Sequence, residues 1–339
     1  MAFTMHSHSG QFCGHAVDQL EDIIKHAISV GFKTIGLTEH MPRYDERDLY
    51  PEEVTPPPFT SLMAPRSSTS LFSQLTDAGP EAALAGLSRR HEAYLVEAQR
   101  LQAAYAAQIH VLIGFEAEFI RPAFGALVAQ LVAAAPCLDY FIGSVHHVHG
   151  IPIDYDAATF AAAVAAASRG GTEEGLHEDY YDLQHAMLVA LRPRVVGHFD
   201  LVRLLSAHPD RDVRRAWDGV WARICRNLRL AAEQGAWLEC NSAALRKGLA
   251  EPYPGRSIAE EWIKLGGKFT LSDDSHGIAH VATNYLGAVT YLQSLGVQDV
   301  WTFRRNPHPW AAGQGPTTLE DVAVPLAEIR AQFEPAAGQ

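Results

Sequence analysis

Thr4-Met5-His6-Ser7-His8-Ser9-Gly10 is the stretch around which the rest of the sequence is organised. The mainly apolar residues 2–5 predict a short buried strand. His6 and His8 follow it two residues apart, a spacing that places both imidazoles on one face of an extended backbone. Two neutral imidazoles at the end of a strand suit a divalent metal ion. A lone His-x-His near a terminus is usually a surface feature, so the interpretation depends on the other strand ends.

Composition excludes several classes of protein. The chain has 339 residues and is 47% hydrophobic, which is enough for one large α/β barrel or two modest domains. Its formal net charge of −12, without a basic stripe, disfavours nucleic-acid binding. Neither a secretory signal nor a membrane span is expected. The four scattered cysteines lack a C-x-x-C motif and fit free thiols in a reducing cytoplasm: Cys13, Cys137, Cys225 and Cys240.

Seven predicted strands alternate with predicted helices. The strands cover residues 2–5, 33–37, 109–115, 138–144, 194–197, 236–241 and 268–271, and residues 300–303 are a candidate for one more. The helices cover residues 17–30, 82–108, 124–134, 159–167, 173–191, 212–234, 258–265 and 279–295. Strands that are separated by helices pair in parallel. One closed, single-domain α/β barrel is therefore expected, with its chemistry at the C-terminal ends of the strands.

Side chains that bind metals follow nearly every predicted strand. They are His6, His8, His15, His40, Glu116, His146, His198, Asp274 and His276. Each one alone has an ordinary explanation, such as a hydrogen-bonded core histidine or a carboxylate that caps the next helix. That explanation fails for nearly all of them together. Nine nitrogen and oxygen ligands exceed the needs of one tetrahedral zinc and suit two or three divalent ions with a bridging carboxylate.

All of these residues except His15 lie within a series of short motifs that resembles the PHP (polymerase and histidinol phosphatase) superfamily. The motifs are His6-Ser7-His8, Thr38-Glu39-His40, Gly114-Phe115-Glu116, Gly143-Ser144-Val145-His146, Gly197-His198-Phe199-Asp200 and Ser272-Asp273-Asp274-Ser275-His276. Residues 6–13, 142–154 and 239–241 are similar to its histidinol-phosphatase branch, and above all to the fungal-type enzymes. The resemblance covers residues 1–310 and implies a distorted (β/α)7 barrel, in agreement with the seven predicted strands. Residues 42–78 are then an irregular Pro/Ser-rich insertion, and residues 311–339 a C-terminal tail.

The resemblance also implies three metal positions, filled by two to three divalent ions (Zn, Mn or Fe). The first ion would be held by His6, His8, Glu116 and Asp274. Glu116 would bridge to a second ion, held also by His146 and His198. The third ion would be held by His15, His40 and His276. Two of these assignments have competitors, because Asp18 lies near His15 and Glu118 lies near Glu116.

The activity that the resemblance implies is hydrolysis of L-histidinol phosphate, a small phosphate monoester, to L-histidinol and phosphate in L-histidine biosynthesis. A metal-bound hydroxide would attack phosphorus while the ions neutralise the dianionic phosphate. The predicted catalytic residues are Asp274, His276, His40 and Glu39. The leaving group could take its proton from Glu39, His147 or His149. The predicted substrate-binding residues are Glu239, Asn241, His147, His149 and Arg203, with Glu239 pairing with the substrate ammonium; Arg246 and Lys247 are further candidates for the phosphate.

Three alternatives have different sequence requirements. The metal motifs do not name the alcohol, so the same hydrolysis could act on another small phosphate ester. A non-catalytic PHP module that supports a partner would lack ligands and be fused to a polymerase, whereas every ligand position here is filled. A deaminase-like amidohydrolase barrel would need a lysine that bridges two ions at a strand end, and no predicted strand ends in one.

Overall fold

Short strands and longer helices alternate along the chain in the computed structural model, which describes residues 2–50, 53, 79–305 and 319–334. The strands are β1 Phe3–Thr4, β2 Thr34–Leu37, β3 His110–Ile113, β4 Glu116–Glu118, β5 Ile142–Ser144, β6 His147–Val148, β7 Ile151–Pro152, β8 Val195–Val196, β9 Trp237–Asn241, β10 Lys268–Ser272, β11 Asp299–Arg305 and β12 Leu319–Pro325. The helices are α1 Leu20–Ser29, α2 Gly79–Ala104, α3 Phe124–Ala134, α4 Ala157–Ala166, α5 Glu173–Leu191, α6 Val213–Ala216, α7 Asp218–Glu233, α8 Ala243–Arg246, α9 Arg256–Lys264, α10 Tyr285–Ser294 and α11 Leu326–Phe333.

Two parallel sheets together form a ring of strands. One has the order β1-β2-β3 and the other the order β10-β9-β8-β5-β4. A bridge between Ser7 and Ser275 joins the end of β1 to that of β10, and a bridge between His40 and Glu116 joins the end of β2 to β4. Because β3 and β4 are successive parts of one predicted strand, the ring has seven members. The expected α/β barrel is confirmed.

Apolar residues at helical spacing attach the helices to this ring. In α1, the buried residues Leu20, Ile23, Ile24 and Ala27 share one face. Buried side chains from the helices and the strands form one large hydrophobic cluster. Strand β2 is buried along its whole length, as is typical of a parallel sheet that is covered on both faces. The polar residues that follow the strands therefore lie at one end of an apolar body.

The C-terminal region adds a strand pair and a helix. Strand β11 pairs antiparallel with β12, and Leu326 and Ile329 of α11 are buried. Phe303 of β11 stacks on Trp237 of β9, with ring centroids 4.3 Å apart, so this pair packs on the barrel. The sequence pattern predicts a strand only at residues 300–303 and does not indicate β12 or α11. The domain boundary near residue 310 stays a prediction.

Two other regions bear on the sequence predictions. A hairpin of β6 and β7, which the sequence analysis did not predict, follows β5. The described part of the 42–78 segment includes a short 3-10 helix at Glu46–Asp48, which Asp45 caps by accepting a hydrogen bond from the Arg47 amide. Most of that predicted insertion lies outside the described residues. Among the helices that the structure describes, none has the length and apolar character needed to span a membrane.

Candidate metal centre

Glu116 lies at the centre of the site, where the strand ends converge. Its Oε2 atom is 3.3 Å from His6 Nε2, 3.5 Å from His8 Nε2 and 3.1 Å from His40 Nδ1. Its Oε1 atom is 3.0 Å from His198 Nε2 and 3.5 Å from His146 Nε2. The two oxygens of one carboxylate thus face two different groups of imidazoles. This is the arrangement that a carboxylate bridging two ions requires.

Asp274 approaches the same group of imidazoles from β10. Its Oδ1 atom lies 3.6 Å from His6 Nε2 and 3.4 Å from His8 Nε2. The backbone of Asp274 has a φ of 47°, in the left-handed region that only a few non-glycine residue types tolerate. Strained backbone of this kind is concentrated at functional sites. The conformation turns the Asp274 carboxylate toward the histidines after β1.

A third group of side chains lies beside His8. It consists of His15, His40, His276 and a residue absent from the predicted ligand set, Cys13; each of the four offers one ligand atom, and all four atoms lie within 4.8 Å of one another. The Cys13 sulfur is 3.3 Å from His15 Nε2. Cys13 and His15 both belong to the loop between β1 and α1. No sequence motif marks Cys13, because its position depends on how this loop folds.

Asp18 and Glu118, the two alternatives to His15 and Glu116 as metal ligands, have different surroundings. Asp18 Oδ2 accepts a hydrogen bond from the Ile278 amide at 2.8 Å, so this carboxylate ties the loop after β1 to the loop after β10. Glu118 Oε1 accepts a 2.5 Å hydrogen bond from the buried guanidinium of Arg43. Glu118 also lies 3.0 Å from His40 Nδ1 and 3.3 Å from His146 Nδ1, but the Arg43 guanidinium already neutralises it, whereas the ion-pair partners found for Glu116 are imidazoles. This difference favours Glu116 as the bridging residue.

The polar atoms of the site fit a bound cation. Several buried imidazole nitrogens have no hydrogen-bond partner among the described residues, including His6 Nε2 and both ring nitrogens of His8. Unpaired buried polar atoms are costly, and coordination of a metal would satisfy them. Three of the groups that could hold an ion contain only histidines and carboxylates, namely His6, His8 and Glu116; His8, Asp274 and His276; and Glu116, His146 and His198.

The charges of the site also fit a cation. Burial lowers the pKa of His8 to about 3, which keeps its imidazole neutral and its lone pair available. Burial would also lower the pKa of His6, but Glu239, Glu116 and Asp274 together raise it well above the usual value. Burial would raise the pKa of Glu116, yet neighbouring imidazoles hold it well below its usual range. The site therefore keeps ionised carboxylates in a buried place, where a divalent ion would neutralise them.

Glu239 lies beneath the site and not on its surface. Its Oε1 atom is 2.8 Å from His6 Nδ1, and its Oε2 atom accepts a 2.9 Å hydrogen bond from the His198 amide. Asn241 donates to Glu239 Oε2 at 3.3 Å and accepts from the Ala243 amide at 2.9 Å. Glu239 and Asn241 are fully buried. This geometry differs from the prediction of a carboxylate and an amide that contact substrate, since their polar atoms are already engaged within the barrel.

Three other predicted substrate-binding residues also lie away from the metal-ligand groups. His147 is buried against the Tyr50 ring, with centroids 5.2 Å apart. His149 pairs with Asp179 at 2.8 Å on the exposed turn between β6 and β7. Arg203 pairs with Asp200 at 2.8 Å and lines a separate cavity. None of the three lines the pocket that the candidate metal ligands share, and their roles in substrate binding stay predictions.

Glu39, a predicted catalytic residue, faces a small cavity beside Cys13. Its Oε1 atom accepts hydrogen bonds from the Ser9 amide at 2.9 Å and the Ser9 hydroxyl at 2.6 Å. Burial raises the pKa of Glu39 to about 8. A protonated carboxyl is a suitable proton donor. However, Glu39 does not line the larger cavity that Glu116 and Asp274 share.

Most of the candidate metal ligands line a cavity of about 450 Å³. The other residues that line it include Tyr50, Asp154, Tyr155, Arg246, Lys247 and His280. Arg246 donates hydrogen bonds to the backbone oxygens of Asp273 at 2.9 Å and Asp274 at 3.0 Å. The pocket therefore combines a deep cluster of metal-binding groups with cationic and aromatic walls. Such a pocket suits a small anionic molecule that carries an organic group.

Known proteins resemble this chain in sequence and fold. The PHP domain matches residues 4–243. The probable histidinol-phosphatase of Schizosaccharomyces pombe is 37% identical over 96% of this chain and 95% of its own length, and the histidinol-phosphatase of Saccharomyces cerevisiae is 30% identical over 85% and 87%. A solved structure of histidinol phosphate phosphatase from Lactococcus lactis, complexed with zinc, L-histidinol and phosphate, is 20% identical with a TM-score of 0.60 over 88% of this chain and 95% of that one. The chain belongs to the PHP domain family, and the predicted likeness to fungal enzymes is confirmed.

Proposed function

We propose that this member of the PHP domain family is a metal-dependent phosphatase that hydrolyses L-histidinol phosphate to L-histidinol and phosphate. The observation that carries the proposal is the position of Glu116, whose two oxygens face separate groups of imidazoles at the base of a pocket. The relatives that match most of the chain are named histidinol-phosphatases, which supports this substrate. The proposed reaction agrees with the function predicted from the sequence and belongs to L-histidine biosynthesis.

We propose that the site holds three divalent ions, with zinc as the metal that its nitrogen-rich ligand set favours. The ligands of the first ion are His6, His8, Glu116 and Asp274; those of the second are Glu116, His146 and His198; and those of the third include His15, His40 and His276. When bound, such ions supply Lewis acidity toward phosphate oxygens and increase the acidity of water. Zinc bound to the Lactococcus lactis protein supports this choice of metal.

The protein itself orients the ligands. Glu239 accepts a hydrogen bond from His6 Nδ1–H, which fixes the tautomer and leaves Nε2 with its lone pair toward Glu116. The same carboxylate holds the backbone of His198. We therefore assign Glu239 a positioning role in place of the substrate contact predicted from the sequence. Removing its charge would loosen ligands of two ions at once.

Asp154 is the better candidate for the substrate ammonium. It lines the cavity together with Tyr50 and Tyr155, whose rings are stacked with centroids 6.0 Å apart. L-Histidinol phosphate carries a dianionic phosphate at one end and an ammonium and an imidazole at the other. A carboxylate would pair with the ammonium, and aromatic side chains would pack against the imidazole. The wall near Asp154 supplies both kinds of contact.

The test compares kcat/KM for L-histidinol phosphate and for p-nitrophenyl phosphate, with the same metal supplied, in wild type, Asp154→Asn and Glu239→Gln. Wild type should prefer L-histidinol phosphate. Asp154→Asn should lose at least about tenfold on L-histidinol phosphate and much less on p-nitrophenyl phosphate. Glu239→Gln should lose activity on both substrates alike. A wild-type enzyme without preference for L-histidinol phosphate would leave only a phosphatase that acts on another small ester.

We also propose that the protein acts in the cytoplasm on a small molecule and not on nucleic acid. All four cysteines lie within the described ranges and none of them forms a disulfide, which fits a reducing compartment. The formal net charge of −12 disfavours a polyanionic partner. A non-catalytic role is disfavoured because the predicted ligands lie together in groups that suit metal ions.

A further inference from the structure

Cys13 lies beside the three histidines proposed to hold the third ion, where a fourth ligand could bind. It is buried, and its amide donates a 2.8 Å hydrogen bond to the Ser9 carbonyl, which fixes the loop after β1. Its sulfur is 3.3 Å from His15 Nε2. The ligand atoms of Cys13, His15, His40 and His276 lie within 4.8 Å of one another. The sulfur therefore lies close to three imidazoles, which come from three different loops.

We propose that Cys13 supplies a thiolate ligand to the third ion and, with His15, His40 and His276, completes a ligand set of one thiolate and three imidazoles. This inference rests on the proposed function only in assuming that the site binds divalent ions. Four donors are the usual complement of tetrahedral zinc. A thiolate is a soft ligand, so its presence would favour zinc over manganese or magnesium at this one position.

The surrounding atoms support coordination and not simple packing of the thiol. Both ring nitrogens of His40 are buried. Nδ1 lies 3.1 Å from Glu116 Oε2 and 3.0 Å from Glu118 Oε1, whereas Nε2 has no hydrogen-bond partner among the described residues and is available to the third ion. His276 Nδ1 lies 3.0 Å from the backbone oxygen of Asp274, which leaves its other ring nitrogen for an ion. By contrast, Cys240 is equally buried but belongs to none of the groups of potential ligands found in the described ranges. Cys240 therefore serves as the matched control.

A set of one thiolate and three imidazoles has a chemical consequence. Four protein ligands would leave the third ion without an open tetrahedral position, whereas the second ion has only three proposed ligands, Glu116, His146 and His198. The third ion would then bind phosphate only by expanding to five-coordination or by exchanging a ligand. The thiolate would also make this one ion sensitive to oxidants, because an oxidised sulfur is a poor ligand.

The test uses Co²⁺ as the probe. The metal-free full chain is titrated with Co²⁺, and the sulfur-to-cobalt charge-transfer band in the near ultraviolet is recorded. Wild type and Cys240→Ser should develop the band, and Cys13→Ser should lack it. Zinc retained after dialysis against a weak chelator should fall from three equivalents to two in Cys13→Ser, with at least about tenfold weaker binding of the third. Cys13→Asp, which restores an anionic donor, should regain the third equivalent without the band.

Several outcomes would overturn the assignment. A fully loaded wild type without the band, or a Cys13→Ser protein that keeps it, would show that the sulfur does not bind the ion. Circular dichroism of each variant separates loss of the ligand from loss of the fold. The band does not depend on substrate, so an enzyme inactive on L-histidinol phosphate that still shows the band would refute the proposed function alone. An active enzyme without the band would refute the role of Cys13 alone.

Discussion

Asp273 and Asp274 are adjacent buried carboxylates with opposite surroundings. Asp274 faces imidazoles of the candidate metal centre. Asp273 accepts hydrogen bonds from the Thr4 hydroxyl at 3.0 Å and the Ala282 amide at 2.7 Å, so it ties β1 to the loop after β10. Burial raises the pKa of Asp273 to about 6, whereas imidazoles hold the pKa of Asp274 well below its usual value. One residue is structural, and the other is placed to bind a cation.

We expect Asp274→Asn to reduce kcat by at least about 100-fold, with little change in the melting temperature of the metal-free protein. Asparagine tolerates the left-handed backbone and has nearly the same shape, but it removes the charge that holds the ion. Asp273→Asn is the control, and it should lower stability by about 1 to 3 kcal/mol while the folded enzyme remains active. Steady-state kinetics with metal supplied and thermal unfolding measure both effects. Normal turnover by Asp274→Asn would show that this carboxylate is not a ligand.

At the residue scale, the sequence was sufficient to predict the positions of side chains that directly follow a strand. The i, i+2 spacing of His6 and His8, and the position of Asp274 and His276 after a strand, were enough to predict that these side chains lie together. Glu239 also follows this rule, yet the direction of its side chain depends on His6 and His198, which come from other strands. Cys13 lies in a loop with no repeating pattern. Its proximity to His276 arises because the loops after β1 and β10 are adjacent in the ring.

At the element scale, the packing of β2 depends on Gly36, which has no side chain. A Cβ atom at Gly36 would lie 2.0 Å from the Tyr140 hydroxyl and 3.0 Å from the Met5 oxygen. That hydroxyl donates a 2.5 Å hydrogen bond to the same Met5 oxygen, at the end of β1. The close approach holds β1 against its neighbours and sets the position of His6 and His8. Only glycine fits here, because the obstructing groups are a backbone oxygen and a side chain bonded to it.

We expect Gly36→Ala to destabilise the protein by about 1 to 3 kcal/mol, since the methyl group must displace Tyr140. Gly287→Ala is the matched control. It lies on the exposed face of α10 and would meet only the flexible end of Leu245 at 3.1 Å. In a helix the same change should be neutral or stabilise by up to about 1 kcal/mol. Urea unfolding of both variants measures the difference, and equal stability would contradict the role assigned to Gly36.

The elements that the sequence analysis missed are short. The turn between β6 and β7 uses His149 and Gly150, with φ values of 54° and 76°. Two residues with positive φ match a type I′ hairpin, but His-Gly lacks the asparagine or aspartate that usually marks one. Strand β12 and the eight-residue helix α11 were also missed, because β12 is held by its pairing with β11 and α11 by the burial of Leu326 and Ile329, not by local sequence pattern. The longer amphipathic helices were predicted to within a few residues.

At the scale of the whole molecule, a protein with a net negative charge must bind a substrate whose phosphate group is a dianion. The formal net charge of −12 repels a phosphate ester at long range. Arg246 and Lys247 line the pocket and give its entrance a local positive charge. The buried carboxylates Glu116 and Asp274 would repel phosphate unless cations lie between them and the substrate. Bound ions at this site would supply charge balance as well as chemistry.

The same balance predicts how the whole fold responds to metal removal. Ions that bind only the folded chain stabilise it, by about 2.7 kcal/mol per ion at a free concentration 100 times its dissociation constant. Chelation followed by dialysis should therefore lower the melting temperature by about 5 °C or more, and zinc should restore it. Asp274→Asn should show a smaller shift, because it has lost one ligand of the first ion. Calorimetry together with elemental analysis of each sample makes the comparison. If the ions are removed in full and the melting temperature does not change, the buried carboxylates must already be neutralised by the protonated imidazoles around them, and the fold does not depend on metal for its charge balance.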